Sequence, residues 1–184
     1  MELSPTARVL LGMIRKGRRT GYEIKQLVDV STRFFWAASY GQIYPELRRL
    51  EEMGLIEGND VPSGARRRRA YSLTPAGEDA LHDWLASDSE LVYEVRDEGL
   101  LRVFFADAMT TAEAVDHLRR MRRRHEEVVA RLEEIEPAAA QSENRFPHLT
   151  ARFGIDFHRW IAGWCEETER ELDREGAADV HQAR

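Results

Sequence analysis

The spacing of apolar residues predicts two short helices near the start of the chain. The first spans about residues 5 to 16 and opens with Pro5, a residue favoured at a helix start. The second opens at Thr20, with Glu23 at the spacing of a capping box. The apolar positions on these helices are Val9, Leu10, Met13, Ile14, Ile24, Leu27 and Val28. Both helices are therefore expected to bury one face.

A third helix is predicted after Ser39. Ile43, Leu47 and Leu50 stand at i, i+4 and i+7, and Gly54 is placed to end the helix. Pro45 interrupts this pattern, because proline removes a helical hydrogen bond and disfavours the helical conformation at the preceding residue. The helix is therefore either kinked at Pro45 or regular only from there on.

The pattern then predicts a β-hairpin and a fourth helix. Residues 55–57 read as a short strand, residues 59–64 as a turn and residues 66–73 as the returning strand. Thr74 and Pro75 form a cap and helix start, followed by the apolar residues Ala80, Leu81, Trp84 and Leu85. Three helices, a hairpin and a helix match the winged helix-turn-helix plan, in which the third helix enters the DNA major groove.

From residue 87 onward the pattern is entirely helical. We expect helices over about residues 91–109, from 111 to a stop at Pro137, and over about 148–172, with 138–147 as a linker. The middle helix carries a heptad-like seam, which requires a partner helix. The seam consists of Leu118, Met121, His125, Val128, Leu132 and Ile135. The fold class is thus mainly α, with a winged helix-turn-helix domain (residues 1–86) and a helical dimerisation domain (87–184).

The two predicted domains differ in charge. The chain carries a net charge of −6, but residues 1–85 carry +2 and residues 86–184 carry −8. An acidic body would orient a basic face toward DNA. No apolar run approaches the length of a membrane span, no secretory signal is recognisable, and Cys165 has no cysteine with which to pair. We therefore expect a cytoplasmic protein.

Several stretches resemble the PadR family of bacterial transcriptional regulators. They are GYEI at 21–24, FWAASYGQIYPELRRLE at 35–51, GLI at 54–56 and YSLTPAG at 71–77. Ala37 replaces the proline expected in that pattern. Residues 100–105 and the late tryptophans are similar to a longer subgroup that includes virulence-activator-like members. The resemblance implies a dimer held by its C-terminal helices, usually a repressor, often released by a small aromatic or phenolic effector.

The candidate DNA-binding residues lie on the third helix and on the hairpin. Guanidinium groups bind phosphates or enter a narrow minor groove, whereas an arginine run can also be a solvated strand edge. Gln42 can pair with adenine, and a tyrosine can reach a phosphate or a thymine methyl group, although Tyr44 could instead pack beneath the hairpin. The candidates are Ser39, Tyr40, Gln42, Tyr44, Arg48, Arg49, Arg66, Arg67, Arg68 and Arg69.

Aromatic residues form a second group of candidates. Phe34, Trp36, Phe153, Phe157 and Trp160 could line an effector pocket, although aromatic residues at helical spacing also form cores and interfaces. The candidate dimer interface comprises Leu118, Met121, His125, Val128, Leu132, Trp160 and Trp164.

The expected partners are inverted-repeat double-stranded DNA, a second copy of the chain and a small aromatic effector. No cofactor, metal site or catalytic constellation is expected. The alternatives are a winged-helix protein-interaction module and an activator without an effector.

Overall fold

The computed structural model describes residues 3–32, 40–63, 66–89 and 96–182. The chain divides into two units, residues 1–91 and 92–184. The first contains α1 (Pro5–Arg15), α2 (Gly21–Val30), α3 (Tyr40–Glu52), β1 (Ile56–Ser63), β2 (Arg66–Leu73) and α4 (Pro75–Ala86). The second contains α5 (Glu98–Phe104), a 3-10 turn (Ala106–Ala108), α6 (Thr111–Ala140) and α7 (Phe146–Gln182). The predicted fold class, a winged helix followed by helices, is confirmed.

Side-chain caps determine where the helices of the first unit begin. The Ser4 hydroxyl accepts a hydrogen bond from the Ala7 amide at 3.0 Å, and α1 follows. The predicted capping box of Thr20 and Glu23 is present at the start of α2. Thr74 caps α4 and also donates to the Gly54 carbonyl at 2.7 Å. Each cap satisfies amides that the helix leaves unpaired and contributes about 1 kcal/mol.

The first unit has one hydrophobic core, to which every helix and both strands contribute. Its largest fully buried side chains are Leu10, Leu11, Ile24, Val28, Ile43, Leu47, Leu50 and Ile56. The members from α3 are the three residues that the sequence pattern placed inward. Their burial fixes which face of α3 is turned to solvent.

Pro45 neither breaks α3 nor delays its start. The helix runs continuously from Tyr40 to Glu52 with Pro45 inside it. Proline at this position costs one hydrogen bond in the early part of the helix. The fully buried Ile43 and Leu47 lie on either side of Pro45, and their packing outweighs that loss.

The hairpin is longer than predicted. The strands pair antiparallel from Ile56 opposite Leu73 to Ser63 opposite Arg66, so residues 59–63, expected as a turn, belong to β1. Turn-forming residue types favoured an early turn, but the ladder with β2 carries the strand further. The Tyr71 amide also donates to the Arg19 carbonyl at 2.7 Å, which connects β2 to the segment between α1 and α2.

In the second unit, α6 and α7 pair antiparallel. Side chains of the two helices pair at three points along their length. These pairs are Glu136 with His148 at 2.5 Å, His125 with His158 at 2.7 Å, and Arg119 with Glu169 at 3.4 Å. Three seam residues, Leu118, Met121 and Leu132, are buried within this single chain. Their partner helix is therefore α7 of the same chain, which corrects their assignment to a dimer interface.

Three predicted boundaries in the second unit are wrong. The helix expected over 91–109 is α5 alone within the described residues, followed by the 3-10 turn, and residues 90–95 lie outside them. α6 continues through Pro137 to Ala140, which leaves only 141–145 as the connection to α7. Pro137 lies in the last turns of α6, where its missing amide breaks only one hydrogen bond. α7 extends in both directions beyond 148–172.

No helix within the described ranges is long and apolar enough to span a membrane.

The contact between α4 and the hairpin gives a stability prediction. A Cβ added at Gly77 would lie 1.9 Å from the Leu55 carbonyl oxygen, whereas one added at Gly12 in α1 meets nothing within 4 Å. We expect Gly77→Ala to lower the free energy of unfolding by about 1–3 kcal/mol or more. The control Gly12→Ala should raise it by about 0.5–1 kcal/mol. Urea unfolding of the full chain, followed by circular dichroism, measures both, and equal effects would contradict the close approach.

Candidate nucleic-acid interface

α3 presents a polar face opposite its buried one. Ile43, Leu47 and Leu50 are fully buried, while Gln42 and Arg48 are exposed. Because three aliphatic anchors prevent the helix from rotating about its axis, the exposed polar groups keep a defined direction. This is the arrangement that a helix entering a nucleic-acid groove requires.

Tyr44 combines packing with exposure. A Cβ built at Gly21 would lie 2.7 Å from the Tyr44 Cε1 atom, so the ring packs closely against the backbone at the start of α2. A side chain at position 21 would meet the ring and require it to move. Tyr44 nevertheless remains 46% exposed. It therefore links α2 to α3 and still presents part of its ring to solvent.

Arg49 is engaged within the fold. Its guanidinium pairs with Glu46 at 2.6 Å, and Glu46 also accepts a hydrogen bond from the Ser4 hydroxyl at 2.5 Å. The bond from Arg49, followed by that from Ser4, holds the pKa of Glu46 below its usual value despite partial burial. This network connects α3 to the start of α1. Arg49, one of the predicted DNA contacts, is thus paired within the fold, and its contact with DNA stays a prediction.

Two hairpin arginines differ in their surroundings. Arg68 is exposed, with its guanidinium carbon 6.0 Å from the centre of the Tyr22 ring on α2. Arg69 donates to Glu51 of α3, with Nε at 3.2 Å from Oε2, and lies 3.6 Å from Asp60 on β1. The bond from Arg69 holds the pKa of Glu51 below its usual value. Arg68 is thus turned to solvent, and Arg69 bridges the hairpin and α3.

The remaining predicted DNA contacts lie partly outside the described residues. Arg66 and Arg67 pair through their backbones with Ser63 and Pro62, but their side chains are not described. Tyr40 begins α3 and its side chain is likewise outside the described set, as is all of Ser39.

Sequence reasoning missed two residues that shape this surface. Glu51 holds the hairpin and Tyr22 lies beside Arg68. Glu51 follows the buried Leu50 directly, and its acidic character beside an arginine-rich strand was the only available signal. Its partner could not be identified before the hairpin register was known.

Aromatic side chains on α7 remain largely exposed. Phe153 and Trp160 are each 67% exposed, and Phe153 stacks on Phe157 with ring centres 6.0 Å apart. Trp164 differs, since it packs against the cluster formed by Leu118, Met121 and Cys165. The exposed aromatic row continues the apolar surface of Phe146 and Leu149.

His125 of the predicted seam is engaged inside the second unit. Its Nδ1 lies 2.7 Å from Nδ1 of His158, so one ring donates and the other accepts. Burial lowers the pKa of both histidines. The neutral pair is therefore favoured, and it joins α6 to α7. Within the part of the chain that the structure describes, no group of three or more His, Cys, Asp or Glu residues is placed to hold a metal ion.

A cavity of about 320 Å³ lies in the second unit, lined in part by Val103, Met109 and Leu172. The predicted effector residues Phe153, Phe157 and Trp160 do not contribute to it. Two polar residues of its lining are already bonded: His117 to the Gly99 carbonyl at 2.9 Å and Thr168 to the Trp164 carbonyl at 2.8 Å. Phe34 and Trp36, also predicted for the effector, lie outside the described residues.

Comparison with known proteins agrees with the two-part organisation. Residues 10–83 match the transcriptional regulator PadR-like family, and residues 95–173 match the virulence activator alpha C-term family. The negative transcriptional regulator PadR of Bacillus subtilis is 35% identical over 108 residues, which are 58% of this chain and 59% of that protein. The matches to curated relatives span from 36% to 64% of the relatives' own lengths.

Solved structures share the fold over nearly the whole chain. The crystal structure of Bacillus subtilis PadR in complex with operator DNA has a TM-score of 0.82 at 25% identity, covering 90% of this chain and 98% of that one. The structure of the same protein in complex with p-coumaric acid has a TM-score of 0.73 at 25% identity, covering 94% and 99%. The relatives are transcriptional regulators and not enzymes. This chain therefore combines a region of the PadR-like family of transcriptional regulators, residues 10–83, with a virulence activator alpha C-terminal region, residues 95–173.

Proposed function

We propose that this regulator binds double-stranded operator DNA, with α3 in the major groove and the hairpin against the neighbouring backbone. The observation that carries the proposal is the exposed polar face of α3 together with a hairpin strand that holds four consecutive arginines. The Bacillus subtilis relative in complex with operator DNA supports the same activity here.

The residues divide into base-reading and backbone-binding groups. Gln42 lies exposed near the start of α3, where an amide can pair with adenine. Arg48 and Arg66–Arg68 supply charge for phosphates, which position a protein without reading sequence. Ser39 and Tyr40 precede and begin α3 and belong to the same proposed surface. The acidic second half repels DNA and so favours approach through this face.

Replacing two hairpin arginines tests the backbone contacts. We expect Arg66→Ala combined with Arg68→Ala to weaken binding to every DNA sequence. The log-log salt slope should fall in magnitude by about 0.9 for each lost phosphate contact. Fluorescence anisotropy with an operator selected from genomic fragments, titrated at several salt concentrations, measures the slope.

The control removes the same charge elsewhere. Arg120 and Arg123 are exposed on α6, and their double alanine variant should leave the slope nearly unchanged. Equal slopes for both double variants and the unmodified protein would show that the hairpin does not touch the DNA backbone. Failure of the unmodified protein to bind any genomic fragment would favour the alternative, a protein-interaction module.

We also propose that the protein is a homodimer held by its second unit. Phe153 and Trp160 on α7 are each 67% exposed, and Phe104 and Phe105 at the end of α5 are also exposed. Exposed apolar patches commonly mark interaction surfaces. A second copy is an occupant with a matching apolar surface, because a two-fold interface uses the same patch twice. The two copies of α3 would then face equivalent grooves, so the operator would be an inverted repeat with half-sites about 10 base pairs or a multiple apart.

Polar substitutions on α7 test the dimer. We expect Phe153→Gln combined with Trp160→Gln to give a folded monomer at micromolar concentration, because these exposed side chains lose their partner surface. Sedimentation velocity measures the mass and far-ultraviolet circular dichroism the helix content. Trp164→Ala is the control, and it should lower thermal stability because Trp164 packs inside the chain. An unchanged mass for the double variant would place the dimer contact elsewhere, and a monomeric unmodified protein would contradict the proposal.

We further propose that the protein is a repressor released by a small aromatic acid. The name of the Bacillus subtilis negative regulator and that protein's complex with p-coumaric acid support this. An effector that binds the DNA-free form more tightly than the DNA-bound form weakens DNA binding by the ratio of these two affinities.

Titration with p-coumaric acid tests the release. Saturating acid should weaken operator binding by about 5- to 150-fold, the usual size of coupling between two sites. Fluorescence anisotropy of labelled operator measures the release, and calorimetry measures binding of the acid. The control, 3-cyclohexylpropionic acid, has a carboxylate without an aromatic ring and should leave affinity unchanged. Operator binding that stays constant across a panel of phenolic acids would favour the alternative, a regulator without such an effector.

A further inference from the structure

One carboxylate joins α3 to both strands of the hairpin. Glu51 lies near the end of α3, and its Oε1 accepts a hydrogen bond from the Gly58 amide of β1 at 3.0 Å. Arg69 of β2 donates to the same carboxylate, through Nε to Oε2 at 3.2 Å and through Nη2 to Oε1. These two oxygens thus receive three donors from two strands.

The backbone at position 58 is adapted to this contact. A Cβ built at Gly58 would lie 2.5 Å from Arg69 Nε and 2.8 Å from Glu51 Oε1. Any side chain there would therefore displace one of the two partners. Glycine at this point of β1 allows the carboxylate and the guanidinium to meet directly over the strand.

The geometry of the contact constrains the orientation of the hairpin. A forked arginine–carboxylate pair fixes direction as well as distance, because both N–H bonds must align with the carboxylate. At its base the hairpin is connected to the helical part of the unit where Tyr71 bonds to Arg19 and Thr74 bonds to Gly54, and Arg68 of β2 lies beside Tyr22 of α2. Glu51 adds a contact further along the strands, between Gly58 and Arg69. The part of the hairpin that extends beyond this contact is shorter than the part that extends beyond the base. The contact therefore restricts the position of the far end of the hairpin.

Building on the proposed function, we propose that Glu51 is a positioning residue for DNA binding. In this proposal Arg69 binds Glu51 and does not contact DNA. The contact sets the angle between the hairpin and α3. The two elements then reach the groove and the backbone in one fixed register. Of Arg68 and Arg69, the two hairpin arginines whose side chains the structure describes, Arg69 is the one whose charge is paired with carboxylates, those of Glu51 and Asp60.

A double-mutant cycle tests whether Arg69 acts through Glu51 or contacts DNA itself. Operator affinity is compared for the unmodified protein, Glu51→Ala, Arg69→Ala and the variant with both changes. If Arg69 acts through Glu51, its removal should weaken binding at least about threefold in the unmodified protein and have little further effect once Glu51 is absent, because residues in one ion-pair network are not additive. An Arg69→Ala effect of the same size in both backgrounds would overturn the proposal.

The neighbouring residue supplies a matched control. Glu52 is exposed on the same helix turn, so Glu52→Ala removes the same charge without touching the hairpin. Any long-range effect of charge on DNA affinity should appear in Glu52→Ala as well and can be subtracted. If Glu51→Ala and Glu52→Ala changed operator affinity equally, the contact of Glu51 with Gly58 and Arg69 would have no role in DNA binding.

A measurement without DNA tests the contact itself. We expect the Gly58 amide to exchange its hydrogen faster in Glu51→Ala than in the unmodified protein, and at the unmodified rate in Glu52→Ala, because only Glu51 accepts from that amide. Nuclear magnetic resonance of the full chain measures this exchange. An unchanged hydrogen-exchange rate of the Gly58 amide in Glu51→Ala would refute the contact between Glu51 and Gly58. Absence of DNA binding by the unmodified protein would refute the proposed function while leaving this measurement decisive.

Discussion

Burial of the aliphatic face of α3 is the interaction on which the rest of the first unit depends. Ile43, Leu47 and Leu50 lie fully inside a core built from every other element of that unit. At about 25 cal/mol per Å² of apolar surface, this burial outweighs the hydrogen bond that Pro45 removes. It also fixes the helix about its axis, so Gln42 and Arg48 are held toward solvent. The same packing therefore stabilises the fold and orients the proposed recognition surface.

Arginines in the first unit either pair with carboxylates of the fold or face solvent. The amino-acid composition does not distinguish the two groups. Arg49 and Arg69 are engaged by Glu46 and Glu51. Glu46 also accepts a hydrogen bond from Ser4 at the start of α1, and the Glu51–Arg69 pair connects α3 to β2. Exposed ion pairs of this kind contribute little to stability because water screens them, so their main effect is geometric. Arg48 and Arg68 are turned outward instead. Glu46 and Glu51 are thus paired with arginines that hold the fold together, while Arg48 and Arg68 contribute positive charge to the surface.

The second unit shows how one helix pair can be internally complete and still leave an apolar surface. α6 and α7 bury Leu118, Met121 and Cys165 between them and join His125 to His158. Burial raises the pKa of the Cys165 thiol to about 11, which keeps it protonated and unreactive at neutral pH. The face bearing Phe153 and Trp160 has no such partner among the described residues of the chain. The internal seam and the exposed row are therefore separate surfaces.

The sequence by itself determined the order of elements, the capped starts of α1, α2 and α4, and the inward face of α3, because these follow from local chemistry and helical periodicity. It also identified the arginine-rich strand and the family resemblance. Only the tertiary structure decided which arginines are engaged within the fold, since Glu51 meets Arg69 through the hairpin register. The structure likewise shows that α3 begins before Pro45 and that α6 continues through Pro137, where local rules allowed a later start and predicted a stop. The partner of the seam on α6 was decided in the same way. A heptad pattern states that a helix needs a partner, but a second copy and α7 satisfy that pattern equally, and only the packing of the chain selects between them.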